Sequence, residues 1–581
     1  MYKYFTDNKN QQIVISLLKE YGIKKVIASP GGTNPALILS MQLDGSFEMY
    51  SSVDERSAAY MACGLSEESG EPVVLCCTGA TASRNYISAL TEAYYRKLPI
   101  IVITCSRPNR MIGQLMPQVT NRSQYLGDIY VSGEQLQVIK DSDDYENCVY
   151  KVNKVLQACK RNGGGPVHMN IECATQSCNT KELPKVHKIQ RINISDDFPS
   201  IPEGNTMIYI GSHKRFSDKE IKLIDSFCEI YNAAVFCDHT SGYYGKYKVL
   251  FPLIGTQIKH SFDIANADLL IDIGEVSGDY FSKDKLNGKH VWRVNEDGEL
   301  RIRFNRLDYF FDMDSHTFFN YYVNQSKNHH VNNTSYYTHC ISIYNDIYKS
   351  IPELPLSHIG IAHRIASMIP NNSTIHFAIM NALRSWNFFY IDNSINTNCN
   401  VGGFGIDGCT SSLIGASLVN PDKLYFLVSG DLAFFYDLNS LGNRHIKRNL
   451  RIIMVNDGKG AEFKHFKSVD HIIGIDEYVA GSGHFGGKSQ NLVKHYAQDL
   501  GFKYISASNW NDFETYLPVF LSDRMLDESI VFEIFANTDD QSIAWEIISN
   551  ISDPTLNEAI VSNAKNIASP KVKKFIKKIL K

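Results

Sequence analysis

Three residues in the carboxyl-terminal third of the chain offer the hard oxygen atoms that a small divalent cation prefers. Asp431 supplies a carboxylate, Asn456 an amide oxygen and Gly458 a backbone carbonyl. Magnesium takes few protein oxygens and lets phosphate groups complete its octahedron. Gly430 allows close backbone approach at a helix N-terminus, where phosphate binds favourably. The set predicts a site for magnesium and a diphosphate, although each half of it alone is also typical of an ordinary turn.

Two apolar runs precede these residues and must position them. Residues 424–428 end in Ser-Gly-Asp, and residues 450–455, which come after a helical stretch, end in Asn-Asp-Gly. Short apolar runs separated by a helix are typical of a βαβ unit with buried parallel strands. Because open α/β sheets bind ligands at the carboxyl edge of their strands, both triplets are predicted to meet at that edge.

The first part of the chain alternates strands and helices in the same way. The predicted strands lie at residues 25–28, 48–53, 72–77 and 100–104. Glu55 follows the second strand and precedes a helix of small and apolar residues. From spacing alone, a carboxylate at this position is typical of a helix cap or of a surface group.

The two carboxyl-terminal triplets resemble the fingerprint of thiamine diphosphate (ThDP) enzymes, which is Gly-Asp-Gly followed further along by Asn-Asn. Here Leu432 replaces the last glycine and Val455 the first asparagine. GDL followed by NDG and Gly460 is most similar to the menaquinone-pathway synthases that make succinyl-enolpyruvyl-hydroxycyclohexene carboxylate. The resemblance implies ThDP and Mg²⁺ as cofactors, with Asp431, Asn456 and the Gly458 carbonyl as ligands of the metal.

Other residues gain roles only through this resemblance. The implied ThDP contacts in the third domain are Asn381, Gly405, Ile406, Gly430, Asp431, Leu432, Ala433, Asn456, Gly458, Gly460 and Ala461. Ile406, in GIDG, matches the aliphatic side chain that wedges between the two cofactor rings and forces the V-shaped conformer. That conformer brings the pyrimidine amine against the reacting carbon, and proximity of this kind is what proton transfer requires.

The amino-terminal motifs SPGGTN, VDERSAAYMACGL and CTGATASRNYISALTEA match the pyrimidine-binding domain of the same family in order and spacing. By this match, Glu55 hydrogen-bonds the aminopyrimidine ring and acts in catalysis, which requires a carboxyl group shielded from water. Gly79 and Ala80 are implied cofactor contacts. Gln118 matches a glutamine that faces substrate, and a solvated loop amide is an equally good interpretation of it.

Substrate-binding positions depart from the synthases. Thr33 and Val401 stand where the synthases have arginines, Ala382 where they have a serine, and Ala461-Glu462 where they have Ile-Phe. Arginine is the natural bidentate partner of a carboxylate. A site without those arginines is not expected to hold 2-oxoglutarate and isochorismate. Thr33, Arg384 and Glu462 are the candidate substrate contacts, with Lys459 and His465 as further candidates for the altered pocket.

The predicted fold class is α/β, with three doubly wound parallel-sheet domains. The predicted boundaries are a pyrimidine-binding domain at 1–185, a central domain at 200–335, a diphosphate-binding domain at 350–545 and a C-terminal helical tail at 546–581. Asp272-Ile273-Gly274 in the central domain lacks a Gly-x-Gly-x-x-Gly motif, so no flavin or nicotinamide is expected there. Residues 184–202 are predicted to be a linker.

Composition limits partners and location. A net charge of −4 predicts no general affinity for nucleic acid. Thirteen cysteines without metal-ligand spacing, and no signal peptide, favour a cytoplasmic protein. Ser569-Pro570 opens a basic amphipathic helix, which is more typical of docking on the protein itself than of contact with a membrane. The family likeness implies a homodimer or homotetramer with active sites at the subunit interface.

The predicted function is decarboxylation of a small-molecule 2-oxo acid and addition of the resulting enamine to an acceptor carbonyl or activated alkene, with substrates other than those of the menaquinone pathway. A simple 2-oxo acid decarboxylase is the alternative enzyme. A ThDP-fold protein that binds a ligand without turnover is the alternative of another class.

Overall fold

The computed structural model describes residues 4–121, 127–258, 260–304, 306–326, 333–460, 462 and 475–552. The chain divides into two compact units. One unit consists of Met1–Ile192 with Glu299–Phe310, and the other of Asn193–Gly298 with Phe311–Lys581.

The first unit is built on a parallel sheet with helices on both faces. Its strands are β1 (Lys25–Ala28), β2 (Glu48–Ser51), β3 (Val73–Thr78), β4 (Ile100–Ser106), β5 (Ser132–Leu136) and β6 (Val167–Glu172), with a short β7 (Gln190–Ile192) further along the chain. The sheet order is β2-β1-β3-β4-β6-β5, and every pair is parallel. Its helices are α1 (Lys9–Glu20), α2 (Pro35–Asp44), α3 (Glu55–Ser69), α4 (Thr81–Asn85), α5 (Ile87–Tyr95) and α6 (Ser142–Ala158).

Both faces of this first sheet are buried, which explains why its strands are apolar throughout. Val74 and Ile101 pack into the cluster on one face, and Val73 and Val102 pack into the cluster on the other. Successive side chains of a strand point to opposite faces, so a strand covered on both sides needs apolar residues at every position.

The second unit contains two further sheets. Strands β8 (Thr206–Ile210), β9 (Ala233–Cys237), β10 (Lys248–Leu250), β11 (Asn266–Ile273) and β12 (Asn287–Val294) lie in the order β10-β9-β8-β11-β12, and their pairs are parallel. The other elements of this central part are β13 (Tyr309–Phe311), α7 (Asp218–Ile230), α8 (Phe251–Gly255), α9 (Tyr280–Lys283), α10 (Ser315–Gln325) and α11 (Ser335–Lys349).

The third sheet is parallel as well. Its strands are β14 (Thr374–Phe377), β15 (Asn396–Cys399), β16 (Tyr425–Gly430), β17 (Leu450–Asn456), β18 (Lys503–Ala507) and β19 (Ile530–Phe535), in the order β15-β14-β16-β17-β19-β18. Its helices are α12 (His358–Ile365), α13 (Asn381–Trp386), α14 (Cys409–Ser417), α15 (Asp431–Tyr436), α16 (Ile475–Tyr478), α17 (Leu492–Asp499), α18 (Trp510–Phe520) and α19 (Thr538–Ser549).

Strand register places the two predicted triplets at one edge of this third sheet. Gly430 at the end of β16 pairs with Val455 near the end of β17. The strand order reverses between β14 and β16, because β15 follows β14 on one side and β16 lies on the other. The carboxyl edge beside such a reversal is where open α/β sheets bind ligands.

The predicted fold class of three parallel-sheet α/β domains is confirmed. Element boundaries differ by a few residues, and the predicted linker at 184–202 contains β7. Most of the predicted C-terminal helix, residues 553–581, lies outside the described residues. Among the helices that the structure describes, none combines the length and apolar character that crossing a bilayer requires.

Candidate functional site

A cavity of about 200 Å³ opens at the carboxyl edge of the third sheet. We call it the third-domain cavity. Turns that follow β14, β16 and β17 form most of its wall. Its lining residues are His358, Ile379, Met380, Asn381, Ala382, Ile406, Gly430, Asp431, Leu432, Ala433, Val455, Asp457, Lys459, Gly460 and Glu462.

Asp431 is held rigidly in this cavity. It is 5% exposed, and its Oδ1 accepts a hydrogen bond from the Leu432 backbone N–H at 2.7 Å. Its Oδ2 accepts from the Gly458 backbone N–H at 2.9 Å. Gly458 has a φ of +79°, a backbone conformation that favours glycine. The two triplets predicted to meet are therefore joined by a direct hydrogen bond.

Asn456 is oriented from behind by a buried glutamate. Its Nδ2 donates to Oε1 of Glu533 at 2.7 Å, and the Tyr504 hydroxyl donates to Oε2 of the same glutamate at 2.8 Å. Burial raises the pKa of Glu533. Because its nitrogen is committed to Glu533, the amide of Asn456 retains its oxygen for another partner.

A second carboxylate borders Asp431. Burial raises the pKa of Asp457, and the nearby negative charge of Asp431 raises it further. Burial likewise raises the pKa of Asp431. Two carboxyl groups in one low-dielectric cavity are stabilised in their ionised form when a cation lies between or beside them.

Strained backbone precedes α13 at the wall of the cavity. Met380 has φ 71° and ψ −130°, a region that is populated almost only by glycine. Non-glycine residues in such conformations concentrate at ligand-binding and active sites, at a cost of about 1–3 kcal/mol each. Met380 and the neighbouring Ile379 line the cavity, and no sequence motif indicates either of them.

His358 is a further cavity residue that the sequence did not indicate. It is 4% exposed, and its backbone N–H donates to Oε1 of Gln541 at 2.9 Å. A Cβ added to Gly430 would lie 3.7 Å from Nε2 of His358. The imidazole therefore borders the turn that begins α15. Since it lies far from the other motifs in sequence and belongs to none of them, only the fold could identify it.

Glu462 enters the cavity wall as part of a buried charged cluster. Nη1 of Arg384 forms an ion pair with Oε1 of Glu462, and both residues are 7% exposed. With its amide oriented so that both of its polar atoms are satisfied, Asn381 donates to Oε2 of Glu462 at 2.5 Å. Two predicted substrate contacts and one predicted cofactor contact are thus brought together.

The remaining predicted residues of the third domain lie near the cavity or outside the described residues. Gly405 directly precedes the lining residue Ile406, whose carbonyl accepts from the Cys409 thiol at 3.7 Å. Ala461 and His465 lie outside the described residues. Among the residues that are described, no three His, Cys, Asp or Glu side chains cluster as a metal site.

In the first unit, the turn after β3 lies against the turn after β4. The Gly79 backbone N–H donates to the Cys105 carbonyl at 2.8 Å, and the Thr33 hydroxyl donates to the same carbonyl at 2.5 Å. Ala80 has φ 62° and ψ −133°, the same strained region as Met380. The structure therefore brings together Thr33, Gly79 and Ala80 at a carboxyl edge of the first sheet.

Glu55 is the first residue of α3 and is partly exposed. It is not the helix cap, because Asp54 takes that position and its side chain accepts from the Ser57 backbone N–H. Gln118 is exposed and has a φ of +60°. Catalytic roles for Glu55, Gln118 and Ile406 stay predictions, as do the cofactor and metal roles assigned above.

Known proteins are similar to this chain in its first domain and along about nine tenths of its length. Residues 8–125 match the family model described as thiamine pyrophosphate enzyme, N-terminal TPP binding domain. The chain is 27% identical over 566 residues to the 2-succinyl-5-enolpyruvyl-6-hydroxy-3-cyclohexene-1-carboxylate synthase of Bacteroides thetaiotaomicron, with 92% of this chain and 97% of that protein covered.

Two more relatives are synthases of the same name. The synthase of Phocaeicola vulgatus is 26% identical over 568 residues, with 92% of this chain and 97% of the relative covered. The synthase of Flavobacterium johnsoniae is 27% identical over 556 residues, with 89% and 97% covered. From the match of its first domain and this likeness along nearly the whole chain, the protein is a thiamine diphosphate-dependent enzyme of carbon–carbon chemistry, similar to these synthases, as its motifs predict.

Proposed function

We propose that the protein decarboxylates a 2-oxo acid and joins the remaining fragment to an acceptor carbonyl or activated alkene, with ThDP and Mg²⁺ as cofactors. The observation that carries this proposal is the buried Asp431 carboxylate, which accepts hydrogen bonds from two backbone N–H groups in the wall of the third-domain cavity. Likeness to the synthases supports the carboligase class of chemistry.

The residues at this edge fit magnesium and a diphosphate. Each oxygen of Asp431 accepts one backbone hydrogen bond and retains a lone pair for a cation. Asn456 retains its amide oxygen, and Gly458 would add its carbonyl. Two or three protein oxygens with phosphate oxygens completing the octahedron suit Mg²⁺. The cation would also offset the repulsion between Asp431 and Asp457.

Catalysis would depend on an acid from the first domain and on shape in the third. When bound, ThDP would supply a carbon nucleophile that attacks the 2-oxo group, and a positively charged ring that accepts the electron pair released when CO₂ leaves. Glu55 would hold a proton at its carboxyl group against the aminopyrimidine, and Ile406 would support the bent conformer. Apolar cavity residues such as Leu432 and Val455 exclude water, which strengthens every charged interaction inside.

A homodimer or homotetramer is part of the proposal. Around Glu55, the first unit exposes apolar side chains that a partner subunit would cover. Val53 is 79% exposed, Tyr60 49% and Met61 46%. Large apolar side chains that are exposed to this extent suit an interaction surface. A second copy seated there would shield Glu55 from water, as its proposed role requires.

The substrates are proposed to differ from those named for the relatives. The Thr33 hydroxyl donates to the Cys105 carbonyl. Ala382 has no polar side-chain group and is 1% exposed, and Glu462 is the anionic partner in the ion pair with Arg384. None of the three can replace an arginine as the partner of a carboxylate. A neutral or singly charged acceptor suits these residues better.

We also propose a role for each of the three domains and a cytoplasmic location for the protein. Residues 1–185 would bind the pyrimidine and residues 350–545 the diphosphate, with residues 200–335 as scaffold. A cytoplasmic location is supported by the thirteen cysteines, which are all free thiols.

Release of CO₂ tests the proposal. Purified protein with ThDP and Mg²⁺ is incubated with pyruvate or 2-oxoglutarate, with and without an aldehyde or ketone acceptor. We expect CO₂ from at least one 2-oxo acid and a new carbon–carbon product when an acceptor is present. An aldehyde product that no acceptor diverts would indicate a simple decarboxylase. No CO₂ from any 2-oxo acid, despite ThDP binding, would favour a binding protein without turnover.

A further inference from the structure

Glu462 stands between the third-domain cavity and a buried arginine. Glu462 and Asn381 line the cavity, whereas Arg384 does not. The guanidinium of Arg384 is 7% exposed and forms its ion pair with Glu462. At this part of the wall the cavity is therefore lined by Glu462 and not by Arg384, whose positive charge the ion pair already compensates.

We propose that Glu462, held by Arg384 and Asn381, determines substrate specificity by excluding substrates that bear a carboxylate beyond that of the 2-oxo acid group. This inference rests on the proposed function and names the substrate class, which is a 2-oxo acid with an uncharged side chain and an uncharged acceptor. A hydroxyl-bearing acceptor fits best, because a carboxylate accepts hydrogen bonds from hydroxyl groups.

The charges around the cavity support this selectivity. Among the residues that the structure describes, its wall contains three carboxyl groups, those of Asp431, Asp457 and Glu462, and one lysine, Lys459. Magnesium would engage Asp431, but Glu462 lies in the separate cluster with Arg384 and Asn381. A second carboxylate on a substrate would be desolvated beside Glu462, whose partner Arg384 is already paired, and burying such a charge is costly.

Neutralising Glu462 should invert the preference. Glu462→Gln keeps the size of the side chain and removes the charge that compensates Arg384, so a buried guanidinium would then lack an anionic partner. A substrate carboxylate can supply that partner. The specificity change would appear as a ratio between two donors, which a general loss of activity does not alter.

The experiment compares 2-oxoglutarate with 2-oxobutyrate in the ThDP- and Mg²⁺-loaded protein. For Glu462→Gln we expect the ratio of kcat/KM for 2-oxoglutarate to that for 2-oxobutyrate to rise by at least about tenfold over wild type. The double variant Arg384→Gln with Glu462→Gln removes both charges, and its ratio should return to within about threefold of wild type. Glu514→Gln, which breaks the surface pair with Arg364, serves as the matched control and should leave the ratio unchanged.

Equilibrium binding separates failure of this inference from failure of the proposed function. Titration of the loaded protein with each 2-oxo acid, followed by calorimetry, gives affinities without turnover. If wild type releases no CO₂, the decarboxylase function fails, yet 2-oxoglutarate should still bind Glu462→Gln at least about tenfold more tightly than wild type. Equal affinity of both proteins for 2-oxoglutarate, with folding and ThDP affinity intact, would overturn the inference. Should Glu462→Gln not fold, the double variant Arg384→Met with Glu462→Met is compared with Arg384→Met alone. An unchanged ratio of kcat/KM for 2-oxoglutarate to that for 2-oxobutyrate between these two proteins would contradict the inference.

Discussion

Asp431 is buried and hydrogen-bonded by residues of its own chain, whereas the residues around Glu55 are largely exposed. Asp431 is 5% exposed and both of its oxygens are bonded to backbone N–H groups. Glu55 begins a helix beside Val53 and Tyr60, which are 79% and 49% exposed. The proposed metal-binding residues around Asp431 thus lie within one domain. The proposed acid, Glu55, would be shielded from water only when a second subunit binds beside it.

The first and third sheets share one backbone feature at their carboxyl edges. Ala80 before α4 and Met380 before α13 adopt the same strained backbone, with φ 62° and ψ −133° in one and φ 71° and ψ −130° in the other. Each follows a buried parallel strand at the carboxyl edge of its sheet. The two domains therefore build their edges on one plan, and the contrast between Asp431 and Glu55 reflects what covers each edge.

Removing the charge of Asp431 should have the largest effect. Asp431→Asn keeps the shape of the side chain but loses the only carboxylate proposed to bind Mg²⁺. We expect the affinity for ThDP in the presence of Mg²⁺ to fall at least about 100-fold, or about 2.8 kcal/mol. Isothermal titration calorimetry measures this. Asp422→Asn, at an exposed loop before β16, is the matched control, and an equal loss in both variants would argue against a metal role.

Glu55→Gln should separate the acid half from the metal half. A carboxylate that moves a proton typically contributes about 10²–10⁴-fold to the rate, so kcat should fall by that factor. ThDP affinity should change less than about tenfold, since the diphosphate contacts lie in another domain. Steady-state kinetics and calorimetry measure the two quantities. Glu68→Gln, exposed on the same helix, should retain full activity. Unchanged kcat in Glu55→Gln would support a binding protein without turnover.

The proposed subunit interface beside Glu55 can be disrupted by substitution of its exposed apolar residues. Tyr60→Asp combined with Met61→Asp places two charges on a surface that a second copy is proposed to bury. Burial of each large apolar side chain contributes about 1.5–3 kcal/mol, so the double variant should dissociate to monomers at micromolar concentration and lose activity. Sedimentation velocity measures the mass, with Ile194→Asp, 66% exposed, as control. A variant that keeps the mass of the wild-type assembly would contradict the proposed interface.

The smallest effect is expected from substitution of Asp540, a partly buried residue of α19, on the pH dependence of stability. Burial, reinforced by Asp539, raises the pKa of Asp540 from 3.8 to about 6. The folded protein then holds a proton that the unfolded chain has lost, so the stabilisation is full below about pH 4 and is lost as the pH rises through 6. Asp540→Asn should therefore gain stability relative to wild type at about pH 7.5 compared with about pH 4.5, as urea denaturation can measure. The same difference at both pH values would contradict this.

The sequence was sufficient where a strand leads directly into its functional residue. Gly430-Asp431 and Asn456-Gly458 each follow an apolar run, and parallel strands fix the edge at which such runs end. Contacts between distant segments were not predictable. Glu462 and Arg384 were selected separately, and nothing in their spacing indicated that they form an ion pair.

Backbone strain, the position of His358 and the helix cap at Asp54 also could not be predicted from the sequence. Met380 is strained although methionine has no intrinsic preference for positive φ, so no residue type marked the position. His358 reaches the cavity because α12 packs near the end of β16, which is a matter of tertiary packing. The cap next to Glu55 is formed by Asp54, and only the observed hydrogen bond to Ser57 distinguishes the two carboxylates.

Whether the third-domain cavity binds ThDP through Mg²⁺ is best measured by calorimetric titration of the purified protein with ThDP, with and without Mg²⁺. We expect saturable binding that requires Mg²⁺ and is abolished by a chelator. Absence of any Mg²⁺-dependent uptake of ThDP by folded protein would contradict it.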